Sequence, residues 1–311
     1  MIEVLRSGLL TTVQDLGRPG LAHLGVGRSG AADRPSLRLA NRLVGNAEGD
    51  AALEITFGGL AVRFERATTV ALAGAPCAVE VDGRCRDMHA PVAVAAGQTL
   101  EVGMPSRGVR TYLAVRGGLA VTPILGARST DLLAHLGPQR LREGDRLTFG
   151  SAVGQIPGVD VAPVAALPVT PVLRVSPGPR ADWFTADALD TLRTSRFEVT
   201  GYSDRVGVRL SGPVLRRSRT EELPSEGLVE GAVQVPPDGQ PVIFLADHPV
   251  TGGYPVIAVV HPHDLPLVAQ ARPGQQVRFT LEPDLLQPGL APHVDRSART
   301  PAPTLVAWPA M

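Results

Sequence analysis

The fold is decided by one stretch of the sequence, Val242-Ile-Phe-Leu-Ala-Asp-His-Pro-Val-Thr-Gly-Gly-Tyr-Pro-Val-Ile-Ala-Val-Val260. Its two apolar runs, 242–246 and 256–260, predict short β-strands because they are rich in valine and isoleucine. A polar loop joins them, beginning at Asp247 and ending in a glycine-rich turn. Functional loops on rigid sheets have this form, although plain hairpins share it.

The rest of the chain also favours β-structure. Its 311 residues include 34 glycines and 29 prolines, which leave little room for long helices. One helix is predicted at 35–44, because a proline stands in its first turn and Gly45-Asn46 ends it. Shorter helices are expected at 185–194 and 264–271. Apolar runs predict further strands at 69–72, 90–95, 112–115 and 171–175.

The composition of residues 151–170 indicates a linker, since this stretch has almost no charge and no periodicity. We therefore predict an N-terminal β domain at 1–155, a C-terminal β domain at 170–285 and an irregular proline-rich tail at 286–311. Residues 140–149 and 271–279 echo each other as a glycine-containing turn followed by an alternating strand. This echo favours two related β domains.

Charge and composition exclude several classes of function. The formal net charge is +0 and the sequence pI is about 7.1, so no global field attracts nucleic acid or an anionic membrane. All 30 basic residues are arginines, which excludes a Schiff-base lysine and a Walker-type phosphate lysine. Two cysteines and the lack of an apolar leader or membrane span predict a cytoplasmic protein.

Several charged residues outside the loop have simple structural interpretations. Asp33 is placed to cap the helix at 35–44, and Asp15 with Arg18 is typical of a turn-stabilising pair. The basic run 216–219 is more typical of a solvated loop than of a phosphate site. His261 and His263 lack a third ligand at a recognisable spacing, so no metal site is predicted.

Six stretches of the chain together carry a family resemblance, in the family's own order. They are Thr11-Thr-Val-Gln-Asp-Leu-Gly-Arg-Pro-Gly20, Ser29-Gly-Ala-Ala-Asp33, Leu39-Ala-Asn-Arg-Leu-Val-Gly-Asn46, Leu53-Glu-Ile-Thr56, Tyr112-Leu-Ala-Val-Arg-Gly-Gly118 and Thr251-Gly-Gly-Tyr-Pro255. The chain thereby resembles the allophanate hydrolase subunit 2 family, which is biotin-dependent-carboxyltransferase-like. Among its members, the chain looks most like those described as the C subunit of 5-oxoprolinase.

This resemblance implies a mainly β fold of two cyclophilin-like β-barrel domains with a few short helices. It also implies the C subunit of an ATP-dependent 5-oxoprolinase, which forms a direct heteromer with the B subunit of that enzyme and works together with its A subunit. ATP is expected only because the family resemblance implies it. Covalent biotin is not expected, because the chain has no lysine to carry it. Two alternatives stay open: a carboxyltransferase-like subunit of urea or allophanate metabolism, and a regulatory module that antagonises a kinase inhibitor.

The resemblance also implies a set of site residues. Three of them are implied to be catalytic: Arg205 would hold a substrate carboxylate, Asp247 would orient or deprotonate water or an amide, and Asp204 is the third. Backbone amides of the glycine turn would bind an oxyanion. The implied substrate-binding residues are Gln234, Pro236, Gln240, Thr251, Gly252, Gly253, Tyr254, Asp15 and Arg18.

Two departures from the family pattern bear on the substrate. Family members commonly have a basic residue after Gly-Gly-Tyr-Pro, where this chain has Val256, and Gln-Thr-Thr before Gly-Gly, where it has Pro249-Val250-Thr251. Loss of that cation affects either a phosphate contact or the choice of substrate, and another arginine could substitute. His248 offers a titratable group nearby, although an isolated histidine in a turn is more often an exposed polar residue.

Overall fold

The structure, a computed structural model, describes residues 1–152 and 154–282. Its first unit is built from two antiparallel sheets. The strands are β1 (Ile2–Ser7), β2 (Leu10–Gln14), β3 (Ala52–Thr56), β4 (Leu60–Phe64), β5 (Thr68–Gly74), β6 (Val79–Val81), β7 (Arg84–Arg86), β8 (Val92–Val94), β9 (Thr99–Val102), β10 (Arg110–Val115) and β11 (Arg146–Leu147). One sheet has the order β11-β1-β4-β9-β6-β7 and the other β2-β3-β10-β5-β8.

An apolar core lies between these sheets, formed by residues such as Val4, Leu53, Val62 and Leu113. Buried and exposed side chains alternate along an outer strand such as β8, which buries its two valines and exposes the alanine between them. β10 is buried along its whole length, since helix α1 (Arg34–Leu43) covers the other face of β5 and β10. The position of α1 is thus fixed by its packing on β5 and β10.

The second unit is a closed barrel in the order β12-β19-β16-β17-β14-β13-β20, with β12 and β20 parallel. Its interior is filled by residues such as Leu173, Phe197, Val233 and Ile257. A two-stranded pair, β15 and β18, lies beside it. The elements are β12 (Val172–Pro177), α2 (Ala186–Thr194), β13 (Arg196–Val199), β14 (Gly207–Ser211), β15 (Glu226–Gly227), β16 (Ala232–Gln234), β17 (Val242–Phe244), β18 (Thr251–Gly252), β19 (Val256–Val260), α3 (Leu265–Ala269) and β20 (Gln276–Leu281).

The mainly β fold with short helices is therefore confirmed, and the three predicted helices occur within two residues of their expected ends. The domain limits at 155 and 170 stay a prediction. Strand β11 ends at Leu147 and β12 begins at Val172 on either side of them. The tail predicted at 286–311 lies outside the described residues. No helix in the described part of the chain is long and apolar enough to cross a membrane.

Candidate functional site

Arg205 lies at the junction of the two units, in the turn between β13 and β14. Its Nε and Nη2 donate to the carboxylate of Asp247, each at 2.9 Å. Nη1 donates to Glu54 on β3, and Nη2 also donates to the carbonyl of Gly30 at 2.7 Å. Burial by itself would lower the pKa of Arg205, but the carboxylates of Asp247 and Glu54 hold that pKa well above its usual range. The guanidinium is a permanent cation inside the protein, and four of its five N–H groups have protein partners.

Asp247 follows β17 and is as deeply buried as Arg205, at 1% exposure for each residue. Besides Arg205, it accepts hydrogen bonds from Ser29 Oγ at 2.7 Å and from the amide of Leu132 at 3.1 Å. Both carboxylate oxygens are therefore engaged by donors from three separate segments. Protein groups thus occupy both carboxylate oxygens of Asp247 and all three nitrogens of Arg205, which fits positioning residues. Their roles as base and carboxylate clamp stay predictions.

Glu54 continues this network into the first unit. Its Oε2 accepts from the hydroxyl of Tyr112 at 2.7 Å and from the amide of Ala32 at 3.0 Å. Burial would raise the pKa of Glu54, but Arg205 and Arg110 outweigh burial and lower it. Glu54 therefore stays ionised as the counter-charge that joins β3 to the barrel.

Asp33 caps α1 as predicted, accepting from the amide of Ser36 at 3.1 Å. Its other oxygen accepts from Gln270 Nε2 of the barrel unit at 2.8 Å. Gln270 also accepts from the amides of Val109 and Arg110 at 2.8 and 2.9 Å. Burial raises the pKa of Asp33 in spite of these hydrogen bonds. The helix cap is thus also a contact between the units.

Asp15 and Arg18 both bind the 128–131 segment in the described structure. Asp15 accepts from the amide of Gly17 at 2.8 Å and from the hydroxyl of Ser129, as expected for a turn-stabilising carboxylate. Arg18 Nη2 donates to the carbonyl of Ser129 at 2.7 Å, and Nη1 lies 3.7 Å from Asp131. Arg18 Nε and Nη1 find no hydrogen-bond partner among the described residues, although the side chain is fully buried.

The loop that follows Asp247 is fixed again at its far end. Thr251 and Gly252 pair with β15, and Gln234 Nε2 donates to the carbonyl of Tyr254 at 2.8 Å. A Cβ on Gly252 would lie 2.7 Å from a methyl group of Leu228, so a larger residue there requires the Leu228 side chain to shift. Gly253 and Tyr254 line an open cavity of about 590 Å³. The predicted Thr251–Tyr254 segment is thus held at the surface of the barrel unit.

Arg217 is the cation of this open cavity. Its guanidinium carbon lies 5.8 Å from the ring centroid of Tyr254. Val256 is 7% exposed and packs with Leu228 and Phe244, so the position that is commonly basic in the family faces an apolar cluster. Arg217 belongs to the run 216–219, in which the flanking Arg216 and Arg219 are exposed. Arg217 Nη2 also donates to the carbonyl of Val235.

The remaining predicted residues, Asp204, Gln240 and Pro236, have structural roles. Asp204 is exposed and accepts from the amides of Val206 and Gly207 at 2.8 and 3.1 Å, as in an Asx turn. Gln240 pairs both of its amide atoms with the backbone of Gly212. The carbonyl of Pro236 accepts from Gly239 at 3.0 Å. Asp204 precedes Arg205 in the chain, but none of these hydrogen bonds joins the three side chains to the Arg205 network, and none of the three residues lines the open cavity.

A second cavity of about 390 Å³ lies between the two units, and we call it the inter-unit groove. The first unit contributes Arg18, Arg28 and Arg34 to its walls, and the barrel unit contributes Glu230 and His248. Sequence reasoning missed three of these residues: Arg28, Arg34 and Glu230. The sequence contains one signal for Arg34, which stands in the first turn of α1. A cation there opposes the helix dipole, so such a residue is unusual for the helix alone.

His261 and His263 stack on one another with ring centroids 5.2 Å apart. Within residues 1–152 and 154–282, no group of three or more His, Cys, Asp or Glu side chains is arranged to hold a metal ion. The two cysteines, Cys77 and Cys85, are free thiols.

Comparison with known proteins gives a consistent picture. A family model described as "Carboxyltransferase domain, subdomain A and B" matches residues 24–281. The chain is 39% identical to the C subunit of 5-oxoprolinase from Escherichia coli (strain K12), over 90% of each chain. It is 34% identical to urea amidolyase of Lachancea kluyveri, over 89% of this chain and 17% of that protein.

Among solved structures, that of TTHA0988 superposes with a TM-score of 0.83 at 40% sequence identity. The match covers 90% of this chain and 55% of the TTHA0988 chain, so this chain corresponds to about half of that protein. The mostly β architecture is therefore shared with an experimentally known fold.

Proposed function

Because the chain belongs to the family of the carboxyltransferase domain, subdomain A and B, we propose that it is the C subunit of an ATP-dependent 5-oxoprolinase. The reaction would open the lactam of 5-oxoproline to give glutamate. The observation that carries this proposal is the 39% identity to a 5-oxoprolinase C subunit, which extends over 90% of both chains. The similarity to a region that makes up 17% of urea amidolyase supports the alternative, a carboxyltransferase-like subunit of urea metabolism, at a lower identity of 34%.

The 247–255 loop is the part of the chain that we assign to the reaction. Asp247 anchors its start through Arg205, and Gln234 holds the carbonyl of Tyr254 at its end. A loop fixed at both ends by buried side chains is preorganised, which favours catalysis. We propose that the backbone of Gly252 and Gly253 stabilises the oxyanion of the opening lactam. Asp247 and Arg205 then act as positioning residues.

Partners complete the enzyme in this proposal. The B subunit would bind this chain directly, and the A subunit would join them for ATP-dependent turnover. The 30 basic residues are all arginines, so a permanently cationic contact to phosphate from this chain uses a guanidinium group. Arg217 beside Tyr254 has suitable chemistry for such a contact.

Reconstitution tests this function. The purified chain is mixed with the B and A subunits, and glutamate formation from 5-oxoproline is followed with and without ATP. We expect turnover only from the complete mixture with ATP, and we expect the tagged chain to retain the B subunit through size-exclusion chromatography. Turnover by the chain alone would contradict this assignment. Carboxylation of urea by a mixture with a biotin carboxylase would instead favour the urea-metabolism alternative.

A further inference from the structure

The walls of the inter-unit groove carry unsatisfied polar atoms. Arg18 Nε and Nη1, Arg34 Nε and Glu230 Oε1 are all buried, and none has a hydrogen-bond partner in the described part of the protein. All three residues line the same groove. An unsatisfied buried polar group costs about 1–3 kcal/mol, so such groups are rare and require an explanation. Of the ten such atoms in the described residues, these four belong to three residues that line one cavity, so unsatisfied polar groups are concentrated there.

Charge in the groove determines the sign of that ligand. Three guanidiniums face one lining carboxylate, Glu230, whose Oε2 is already bound by Arg34 at 2.6 Å. Arg18 has a more distant counter-charge in Asp131, at 3.7 Å. Burial lowers the pKa of Arg28, and the neighbouring Arg34 lowers it further. An anion bound between Arg18 and Arg28 would compensate this excess of positive charge.

Glu230 determines a second feature of the ligand. Its Oε1 is a charged acceptor without a hydrogen-bond partner among the described residues, and Glu230 lines the same groove as Arg18 and Arg34. A ligand with an N–H group would satisfy Glu230, while its carboxylate satisfies the arginines. Leu228, Val250 and Leu265 supply an apolar wall for the carbon skeleton. The groove, at about 390 Å³, has a volume typical of small-molecule sites.

We infer that the inter-unit groove binds a small carboxylate that also carries an N–H donor, with the carboxylate on Arg18 and Arg28 and the N–H on Glu230. 5-Oxoproline has both groups on one five-membered ring. The inference therefore rests on the proposed function for the identity of the ligand, but not for the existence of the site. His248 and Val250 of the 247–255 loop line the groove, so a ligand there lies beside the loop assigned to the reaction.

Calorimetric titration of the full chain alone, without partners or ATP, tests this site. The probes are 5-oxoproline, cyclopentanecarboxylate, which keeps the ring and carboxylate but has no N–H, and 2-pyrrolidinone, which has no carboxylate. We expect 5-oxoproline to bind, cyclopentanecarboxylate to bind about tenfold more weakly, and 2-pyrrolidinone not to bind, since hydrogen bonds to charged groups are worth about 1.5–3 kcal/mol. Inorganic phosphate is a fourth probe, for a site that recognises charge alone.

Substitutions of the lining residues test whether 5-oxoproline binds in the inter-unit groove. Arg28→Gln should weaken 5-oxoproline binding about tenfold or more, because it removes one of the two proposed carboxylate partners. Glu230→Gln should reduce the preference for 5-oxoproline over cyclopentanecarboxylate, because a neutral amide is a weaker acceptor. Arg42→Gln is the matched control. Arg42 lies on the same helix as Arg34 but pairs with Glu48 at 3.4 Å on an exposed face, so its loss should leave binding unchanged.

Three results would overturn the inference: no binding of 5-oxoproline at millimolar concentration, equal binding of all four probes, or equal effects of Arg28→Gln and Arg42→Gln. Failure of the enzyme assignment looks different. If 5-oxoproline binds and depends on Arg28, but the reconstituted mixture forms no glutamate, the groove is supported and the proposed function is wrong.

Discussion

Arg205 and Arg18 are the two arginines among the largest fully buried side chains of the described structure, and they differ in how they are satisfied. Arg205 makes hydrogen bonds to two carboxylates and a carbonyl. Arg18, which lines the inter-unit groove, makes one to a carbonyl, has a carboxylate at 3.7 Å, and keeps two nitrogens without a hydrogen-bond partner among the described residues. Burial alone therefore does not identify a functional arginine. The number of donors without a partner is what separates Arg18 from Arg205.

The largest effect should come from replacing these two arginines in turn. Arg205→Gln leaves the buried carboxylates of Asp247 and Glu54 without their shared cation, which should lower the free energy of unfolding by about 3–5 kcal/mol. Arg18→Gln removes one hydrogen bond and a cation that is itself poorly compensated, so we expect a loss of about 1–2 kcal/mol. Urea denaturation followed by circular dichroism measures both values.

Asp204→Asn is the control for this pair, because the residue adjacent to Arg205 is exposed and its turn can be kept by asparagine. Its free energy of unfolding should stay within about 0.5 kcal/mol of the unmodified chain. Equal losses for Arg205→Gln and Arg18→Gln would remove the distinction between a stabilising and a ligand-binding arginine.

Local parts of the fold were predictable from the sequence. Pro35, the apolar positions of the helix and Gly45 give α1 nearly to its ends, and Asp33 caps it as expected, since capping depends on residues within one turn. Strand β19 has the predicted limits, 256–260, because the run is apolar and bounded by a loop. The resemblance supplied what local patterns could not, namely the pairing into two β units.

The candidate site was less predictable because its contacts are non-local. The sequence identifies Arg205 and Asp247 as important but contains no signal that they bind each other across 42 positions, or that Glu54 lies 151 positions from its partner Arg205. A buried carboxylate and an active base look alike in a sequence. The three-dimensional partners decide between them, and here they favour a positioning role.

A smaller effect concerns the pH dependence of the Arg205 network. The pKa of Glu54 in the folded protein is lowered from its usual value of 4.5. Its contribution to stability is therefore complete above about pH 4.5 and is lost as the pH falls through the lower folded-state value, by about 1.4 kcal/mol for each unit of depression. Unfolding free energies from pH 6 to 3 should fall less steeply for Glu54→Gln than for the unmodified chain.

Asp33 lies at the same junction between the two units, and its contribution to stability should depend on pH in the opposite direction from that of Glu54. Burial raises its folded-state pKa above the usual 3.8, so the folded protein gains stability from this group as the pH falls towards 3.8. Asp33→Asn should therefore make the acid loss of stability steeper, in contrast to Glu54→Gln. Parallel pH profiles for the two variants would show that the network does not hold Glu54 ionised.

The smallest expected change in stability comes from replacing Arg28, and its sign is opposite to that of the loss expected for Arg205→Gln. Arg28 lies at the mouth of the groove near Arg34, and both burial and that neighbour disfavour its charge. Arg28→Gln should therefore leave stability unchanged or raise it by a few tenths of a kcal/mol, since solvent screens a partly exposed charge. A residue that weakens ligand binding when replaced, yet does not stabilise the fold, is typical of a functional site. Thermal unfolding without ligand, compared with Arg42→Gln, measures the effect. If Arg28→Gln clearly loses stability and Arg42→Gln does not, Arg28 has a structural role. The contrast between the Arg205 network and the inter-unit groove would then rest on Arg18 alone.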